Sequence, residues 1–242
     1  MMEEKSLLHW KNTLISIDKL FFPPVCLACN QRIESVKEVL CSECKELLSP
    51  ITINYCDKCG APMIDYSCPY CSENDFVFDI ARAAFIYQSP VRELIHNFKY
   101  NAFLAPASFF SQAIMELPEA DKFANNFDLI TAVPLHRVRK RERGYNQSEL
   151  IAKKLAIKWN IPYAEPVKRY LPTPSQTTLN AEERVNNLKN AFRLEKNADV
   201  KGKKIILVDD VFTTGTTVNE VSRVLKEAGA SKVAVLTAAR AI

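Results

Sequence analysis

Eight cysteines lie in the first third of the chain, and all of them form pairs separated by two residues. The pairs are Cys26/Cys29, Cys41/Cys44, Cys56/Cys59 and Cys68/Cys71. A Cys-x-x-Cys turn directs two thiolates to one tetrahedral corner, and two such turns complete the coordination of a zinc ion. Four pairs supply two complete ligand sets, so the sequence predicts two structural zinc ions with no open position for a substrate.

The grouping of the four pairs is open from spacing alone. The simplest arrangement joins the first pair with the second and the third with the fourth, but an interleaved arrangement fits the same spacing. A redox protein would carry one such pair beside a βαβ unit, whereas four follow one another here. This segment has few large apolar side chains, so bound metal is expected to supply the stability that burial cannot.

A second candidate site lies in the segment Ile205–Thr217. The apolar run Ile205–Val208 predicts a buried strand that brings Asp209 and Asp210 to its carboxyl end, before a loop of threonines around Gly215 and then a helix. The glycine permits close backbone approach, and a helix N-terminus offers N–H groups to an anion. Because carboxylates repel phosphate, they are expected to bind sugar hydroxyls or a Mg²⁺ ion on a polyphosphate. A polar turn with a threonine cap would explain the threonines but not the carboxylates.

A basic cluster occupies the predicted loop Pro134–Gly144, where Glu142 is the one opposing charge. Such a cluster suits a polyanion, either pyrophosphate or the backbone of a nucleic acid, and Tyr145 is placed to stack on a base. A solvated basic surface is the alternative. The residues assigned to this site are His136, Arg137, Arg139, Lys140, Arg141 and Arg143.

Strands and helices alternate from residue 80 onward, which is typical of a parallel sheet with helices on both faces. The predicted strands are Ala83–Tyr87, Leu129–Val133, Ile205–Val208 and Val233–Leu236, and the predicted helices are Val91–Phe98, Gln147–Trp159 and Thr216–Ala228. Ligands of such folds bind at the carboxyl ends of the strands, where the acidic pair and the basic cluster stand.

The composition is that of a globular protein, with 242 residues, 48% hydrophobic and 25% charged, and it excludes collagen-like, disordered and coiled-coil chains. Residues 1–80 carry a net charge of −5 and residues 81–242 a net charge of +9, and all cysteines lie in the first part. We therefore expect a domain boundary near Asp79. The uncharged stretch Asn101–Met115 is too short to span a membrane, so a cytoplasmic protein without membrane insertion is expected.

The segment Ile205–Thr217 resembles, position by position, the phosphoribosyl pyrophosphate (PRPP) signature of type I phosphoribosyltransferases. The resemblance implies that Asp209 and Asp210 hold the 2′- and 3′-hydroxyls of the ribose and that the following loop holds the 5′-phosphate. That loop consists of Thr213, Thr214, Gly215, Thr216 and Thr217.

From about residue 20 to its end, the chain resembles the ComF competence family. The matching positions are Phe22 to Pro24, Ile95 to Tyr100, Val133 to His136, Arg143 to Gln147, Gln176, Arg184, Asn187, Ala191 and Phe192. Glycine is usual in the family where Ala102 and Thr178 stand, and proline where Arg137 stands. The spacing of apolar residues between Leu7 and Phe21 predicts an amphipathic helix within residues 1–24. The resemblance implies a double zinc ribbon over 25–78 and a type I phosphoribosyltransferase-like α/β domain over 79–242.

The polar segment Pro172–Asn190 has the composition of a lid, with Gln176 and Arg184 as its candidate ligand contacts. A lid over the departing pyrophosphate would exclude the water that hydrolyses an activated sugar. An ordinary surface loop is the alternative.

Two functions are compatible with these features. The resemblance favours a DNA-handling protein of natural transformation that binds PRPP with Mg²⁺ and single-stranded DNA, with competence or DNA-processing proteins as further partners. The alternative is an active Mg²⁺-dependent phosphoribosyltransferase, in which a nucleophile attacks the anomeric carbon and expels pyrophosphate. The sequence identifies no acceptor for that reaction.

Overall fold

The computed structural model describes residues 23–52, 54–63, 67–171 and 191–242. Most of the predicted N-terminal helix and the whole predicted lid, with Gln176 and Arg184, lie outside the described residues. The strands are β1 (Ile80–Ile86), β2 (Leu129–Ala132), β3 (Val167–Arg169), β4 (Phe192–Leu194), β5 (Lys204–Phe212) and β6 (Lys232–Arg240). The helices are α1 (Ser42–Glu46), α2 (Pro69–Glu73), α3 (Val91–Tyr100), α4 (Ala105–Met115), α5 (Ala120–Asn126), α6 (Arg137–Arg143), α7 (Gln147–Trp159) and α8 (Thr216–Glu227). Among these helices, none combines the length and the apolar character that crossing a bilayer requires.

The predicted parallel sheet with helices on both faces is confirmed. Its strand order is β1-β6-β5-β2, every pair is parallel, and β3 and β4 form a separate antiparallel pair. Side chains alternate between the two faces of a strand, so Ile206 and Val208 join one buried layer while Ile205 and Leu207 join the other. Helices α4 and α7 contact the sheet strands on the first side, and α8 with the β3–β4 pair packs on the second.

Strand β5 is longer than its apolar run predicts. It continues through the acidic pair to Phe212, because β6 extends to Arg240 and pairs with it along the whole length. Pairing with β2 on the other side ends where Ala132 meets Val208. The expectation that the acidic pair follows the end of the strand is therefore wrong, although the sheet does open beside the pair on the β2 side.

The basic cluster forms a helix rather than the predicted loop. Helix α6 begins after His136, whose Nδ1 accepts a hydrogen bond from the backbone N–H of Val138 (3.4 Å), so the imidazole caps the helix. The helix ends at Gly144, which has a left-handed φ of 77°. The two caps fix seven residues in one short helix, and its basic side chains consequently point in several directions.

The two cysteine segments pack against opposite faces of the sheet. Cys26 and Leu40 belong to the buried layer that contains α3, α4 and α7, whereas Cys59 belongs to the layer beneath α8. Backbone hydrogen bonds also cover the edge strand β1, from Ile51 N–H to the carbonyl of Ala84 (3.0 Å) and from Ala81 N–H to that of Lys58 (2.7 Å). An exposed sheet edge is thereby closed by the cysteine-rich part of the chain.

Gly60 marks the closest approach between that part and the sheet. Its φ is +69°, and a Cβ atom built there would lie 2.4 Å from the carbonyl oxygen of Ala81. Nearby, the buried guanidinium of Arg82 donates to the carbonyl of Asp57 (2.9 Å) and forms a bidentate ion pair with Glu119. The hydrogen bonds from Arg82 lower the pKa of the Glu119 carboxyl. This contact ties the second cysteine segment to the sheet and to the loop before α5.

One backbone position predicts a stabilising substitution. Ala102 has a left-handed φ of 55° and is exposed. An alanine in this conformation is strained by about 1–2 kcal/mol, part of which glycine loses again through the entropy of its unfolded state. We expect Ala102→Gly to raise the free energy of unfolding by about 0.5–1 kcal/mol in urea titrations.

The matched control is Ala124→Gly, inside α5, which should lower the free energy of unfolding by about 1 kcal/mol because helical alanine is preferred there. A loss of stability in both variants would contradict the strain at Ala102.

Candidate functional site

The cysteines form two separate clusters in the simpler of the two predicted groupings. Within each cluster the four Sγ atoms lie within 4.8 Å of one another. The clusters are Cys26, Cys29, Cys41, Cys44 (cluster 1) and Cys56, Cys59, Cys68, Cys71 (cluster 2). All eight are free thiols, so the residues present suit metal ions and not a disulfide scaffold.

The sulfur separations match a tetrahedral zinc site. The Sγ atoms of Cys59 and Cys68 are 3.5 Å apart, and those of Cys56 and Cys71 are 3.7 Å apart. Zinc–sulfur bonds of about 2.3 Å place the corners of a tetrahedron about 3.8 Å apart. Burial raises the pKa of the Cys56 thiol, but hydrogen bonds from the backbone N–H groups of Cys59 and Lys58 outweigh it and lower the pKa to about 7. The backbone of the turn thus favours the thiolate of Cys56, whereas burial raises the pKa of the Cys59 thiol to about 11.

The acidic pair is held by side chains from two helices and by one backbone N–H group of its own strand. Asp209 Oδ1 accepts hydrogen bonds from Ser148 Oγ (2.8 Å) and from the backbone N–H of Asp210 (2.9 Å). Asp210 Oδ1 forms an ion pair with Lys99 Nζ at 3.0 Å. Burial and the negative charge of Asp210 raise the pKa of Asp209 to about 7. At neutral pH the two carboxyl groups can therefore bind either a proton or a cation at a small cost in free energy.

Lys99 and Ser148 were not identified as site residues from the sequence. Lys99 lies in the last turn of α3, 111 residues before Asp210, and Ser148 lies in the first turn of α7. Burial lowers the pKa of the lysine, but the charge and the hydrogen bond of Asp210 outweigh it, and the pKa is raised. The only local sign was that Lys99 falls inside a segment that resembles the ComF family, and no spacing rule connects it to the acidic pair.

The threonine loop forms a compact turn between β5 and α8. Thr214 Oγ1 and Thr216 Oγ1 share a hydrogen bond of 2.8 Å, and Thr213 and Thr214 are exposed. Gly215 caps α8 with a φ of +79°, and a Cβ atom there would lie 2.6 Å from the ring of Phe212. The loop therefore rests directly on an aromatic ring, with hydroxyl groups and the N-terminus of α8 on its outer side.

The basic residues of α6 divide into paired and exposed groups. Lys140 pairs with Glu149 (3.1 Å), and Arg143 donates to Gln147 Oε1 (3.2 Å) while its guanidinium lies 5.1 Å from the ring centroid of Tyr100. Arg137 and Arg141 are exposed one helical turn apart, and Arg139 is half-buried. The predicted stacking residue Tyr145 is instead engaged inside the protein, where its hydroxyl donates to the carbonyl of Phe98 (2.6 Å).

A cavity of about 620 Å³ adjoins this helix, between the loop after β2 and strand β3. Its basic lining residues are His136, Arg137, Lys140, Lys168 and Arg169. Burial lowers the pKa of the Arg169 guanidinium, Arg139 lowers it further, and the charge of Asp209 raises it. Arg169 therefore responds to charges of both the basic helix and the acidic pair, and it lines the cavity beside that helix.

Comparisons with known proteins match two parts of the chain to family models. A family model described as a phosphoribosyl transferase domain matches residues 117–241, and one described as a double zinc ribbon domain matches residues 17–75. Competence protein F of Haemophilus influenzae is 33% identical over 91% of this chain and 99% of its own length. DNA utilization protein YhgH of Escherichia coli is 32% identical over 89% and 96%, and competence protein ComFC of Bacillus subtilis is 28% identical over 79% and 80%.

The clusters predict two zinc ions per chain in protein purified without chelator. Because each cluster has four sulfur ligands, Cys29→Ser with Cys41→Ser and Cys68→Ser with Cys71→Ser should each leave one zinc ion. Elemental analysis of the purified proteins measures this directly. Two zinc ions that persist in either double variant, or well under one in the unmodified chain, would contradict the assignment.

Proposed function

The chain belongs to the ComF competence family, and on this premise we propose that it handles DNA in natural transformation by binding PRPP and single-stranded DNA. The acidic pair would bind the ribose hydroxyls together with Mg²⁺, and the threonine loop would bind the 5′-phosphate. Helix α6 would bind phosphates of the DNA. The cytoplasm is the location that we predict for this activity.

One observation supports the PRPP site most strongly: two carboxylates sit side by side where β2 has ended, and a lysine ammonium is drawn to them. A buried carboxyl group beside a half-buried one destabilises an isolated fold, since the pKa of Asp209 is raised to about 7. Such an arrangement is useful when a cation or hydroxyl donors occupy it. Carboxylate oxygens are also the ligands that Mg²⁺ prefers, so the donor set fits that ion.

Lys99 gives this site a way to exchange partners. A cation or a hydroxyl group bound to Asp210 would release the ammonium, which would then be free to contact phosphate oxygens of the same ligand. Ser148 would keep Asp209 oriented throughout, because its hydroxyl donates to the carboxylate. Mg²⁺ would neutralise charge on the pyrophosphate group, and the threonine hydroxyls would orient the other end of the ligand.

Helix α6 is the element that we propose for DNA. Arg137 and Arg141 lie one turn apart and are exposed, so both can reach successive phosphates on one strand. Lys140 and Arg143 have partners within the protein and would contribute mainly to the local positive potential. The polyanion would therefore pass along the outer side of the helix, beside the PRPP site.

Enzymatic phosphoribosyl transfer is the second candidate. The observation that favours it is the cavity beside α6, which offers space for an acceptor next to Arg169 and within the electrostatic influence of Asp209. Release of pyrophosphate from PRPP in the presence of Mg²⁺ would establish this function, and binding without release would leave PRPP as a ligand.

The acidic pair yields a prediction about PRPP affinity. Replacing Asp209 and Asp210 by Asn keeps their shape and removes two charged hydrogen-bond acceptors, each worth about 1.5–3 kcal/mol. The double variant should bind PRPP at least about 100-fold more weakly in calorimetric titrations with Mg²⁺. Its melting temperature at pH 8 should be equal or higher, because a carboxyl group with a raised pKa destabilises the fold once it ionises.

The matched control is Asp121→Asn on the exposed side of α5, which should leave affinity unchanged. Thr214→Val should weaken PRPP binding without altering its Mg²⁺ dependence. A double variant that unfolds would make the carboxylates structural, and one that binds PRPP as tightly as the original would remove the proposed site.

The exposed arginines of α6 yield a prediction about salt dependence. Each phosphate contact on a single strand contributes about −0.7 to the slope of log affinity against log salt concentration. Arg137→Gln with Arg141→Gln should weaken binding of single-stranded DNA and flatten this slope by roughly 1–2 units in fluorescence titrations.

Lys201→Gln with Lys204→Gln removes the same charge from exposed positions at the amino end of β5 and serves as the control. An unchanged slope in the arginine variant would place the DNA surface elsewhere, with the cysteine-rich segment as the next region to test.

A further inference from the structure

Arg240, the last residue of β6, is a buried cation with an unusual partner. It is 1% exposed, and its Nη1 donates to the carbonyl of Cys59 (2.8 Å) while Nη2 lies 3.7 Å from the Sγ atom of the same residue. Among the described residues no carboxylate pairs with this guanidinium. The anion that faces Arg240 is therefore cluster 2.

This arrangement is stable only while the cluster carries negative charge. Four thiolates around a zinc ion have a net negative charge, which compensates the buried guanidinium. Loss of the zinc ion would separate the four sulfur ligands and leave Arg240 with less compensating charge in a water-excluded position, where a poorly compensated charge is strongly unfavourable. The cation and the metal cluster thus depend on each other.

The other side of Arg240 faces the phosphate-binding loop. Its guanidinium carbon lies 4.2 Å from the ring centroid of Phe212 and 4.9 Å from that of Tyr70. The ring of Phe212 in turn lies 2.6 Å from the position that a Cβ atom on Gly215 would take, with the ring of Phe76 at 2.8 Å. A displacement of Arg240 would therefore remove the support under the turn that caps α8.

A second connection leads from cluster 2 to the same turn. The chain that follows Cys71 passes under the loop, where Phe76 stacks on Phe78 and meets the ring of Phe212 edge-on. Within this chain the backbone N–H of Val77 donates to Asn219 Oδ1 (2.7 Å), in the first turn of α8. The position of this segment depends on cluster 2 at one end and contacts the loop at the other.

We propose that Arg240 is a positioning residue that couples cluster 2 to the loop Thr213–Thr217. Zinc in the cluster fixes Arg240 and Phe212, and these hold the loop in the conformation that binds phosphate. Coupling between two sites is reciprocal, so a phosphate ligand on the loop also raises the affinity of cluster 2 for zinc. This inference has a mechanical half, the effect of zinc on the conformation of the loop, and a ligand half, the effect of a phosphate ligand on zinc binding. Only the ligand half rests on the proposed function.

Cluster 1 and Arg82 serve as matched controls for cluster 2 and Arg240. Cluster 1 packs into the buried layer on the opposite face of the sheet. Arg82 also holds the backbone of cluster 2, through the carbonyls of Cys56 (3.4 Å) and Asp57 (2.9 Å), but its charge is paired with Glu119. Removing cluster 1 or Arg82 perturbs a zinc segment without breaking the link through Arg240 and Phe212.

Amide hydrogen exchange over residues 212–219 tests the mechanical half. Cys68→Ser with Cys71→Ser, and separately Arg240→Met, should accelerate exchange there by about tenfold. Cys29→Ser with Cys41→Ser, and Arg82→Met, should leave it unchanged. Unchanged exchange after loss of cluster 2, or equal acceleration in the two arginine variants, overturns the proposal.

If Arg240→Met also loses protection in β2 and α7, that variant has unfolded. Arg240→Lys then serves as the second variant. Lysine keeps the charge but loses the planar contact with Phe212, so acceleration should again be confined to residues 212–219. Acceleration spread over the whole sheet in this variant, together with unchanged local exchange after loss of cluster 2, would give Arg240 a merely structural role.

The ligand half is measured on the unmodified protein as the equilibrium partition of zinc between the protein and a competing chelator. Ribose 5-phosphate should raise the zinc affinity of one of the two clusters about fivefold or more and should not do so in Arg240→Lys. Ribose 5-phosphate that binds without changing the zinc affinity overturns the coupling. Absence of binding counts against the proposed function, while the exchange experiment decides the coupling independently.

Discussion

The difference in length between β2 and β6 is the constraint on which the candidate site depends. Strand β5 pairs with β6 up to Phe212 but with β2 only up to Val208, so its acidic pair has a neighbouring strand on one side only. The carboxylates are fixed by a continuous strand and yet open to side chains and ligands from the other side. Lys99 and Ser148 reach them through this opening.

The two zinc segments pack against the same sheet. Each contributes to the buried layer on one face of the sheet, and both cover the edge strand β1. The second segment also meets two buried arginines, of which one is neutralised by Glu119 and the other faces cysteine sulfur. Folding of the sheet, formation of the metal clusters and placement of the threonine loop are therefore linked by packing and by charge.

Local signals in the sequence predicted the parts of this structure that depend on neighbouring residues. The apolar run Ile205–Val208 gave a correct buried strand, the four cysteine pairs gave the two clusters, and Gly215 stands at a left-handed cap. The extension of β5 was missed because it depends on the length of a separate strand, β6. The pairing of Lys99 with Asp210 was missed because the two residues are 111 positions apart in the sequence.

The sequence carried signals for the helical form of the basic segment that the loop prediction did not use. Arginine, lysine and glutamate have high helix propensity, and Gly144 follows the run at a left-handed cap, while the imidazole of His136 caps the other end. Whether a basic side chain in such a segment is exposed or paired depends on residues of the next helix, such as Gln147 and Glu149. The fold therefore decides which basic side chains of α6 are paired.

The affinity for PRPP as a function of pH tests the central claim, that the acidic pair binds the ligand together with a cation. Because the pKa of Asp209 is raised to about 7, protons compete with Mg²⁺ below that pH. With Mg²⁺ present, the association constant should rise about tenfold per pH unit between pH 5 and 7 and level off above 7. Any pH dependence of the affinity that remains in Asp209→Asn comes from titration of the ligand's own phosphates. Affinity that is independent of pH in both proteins, or of Mg²⁺ at pH 8, would contradict the account.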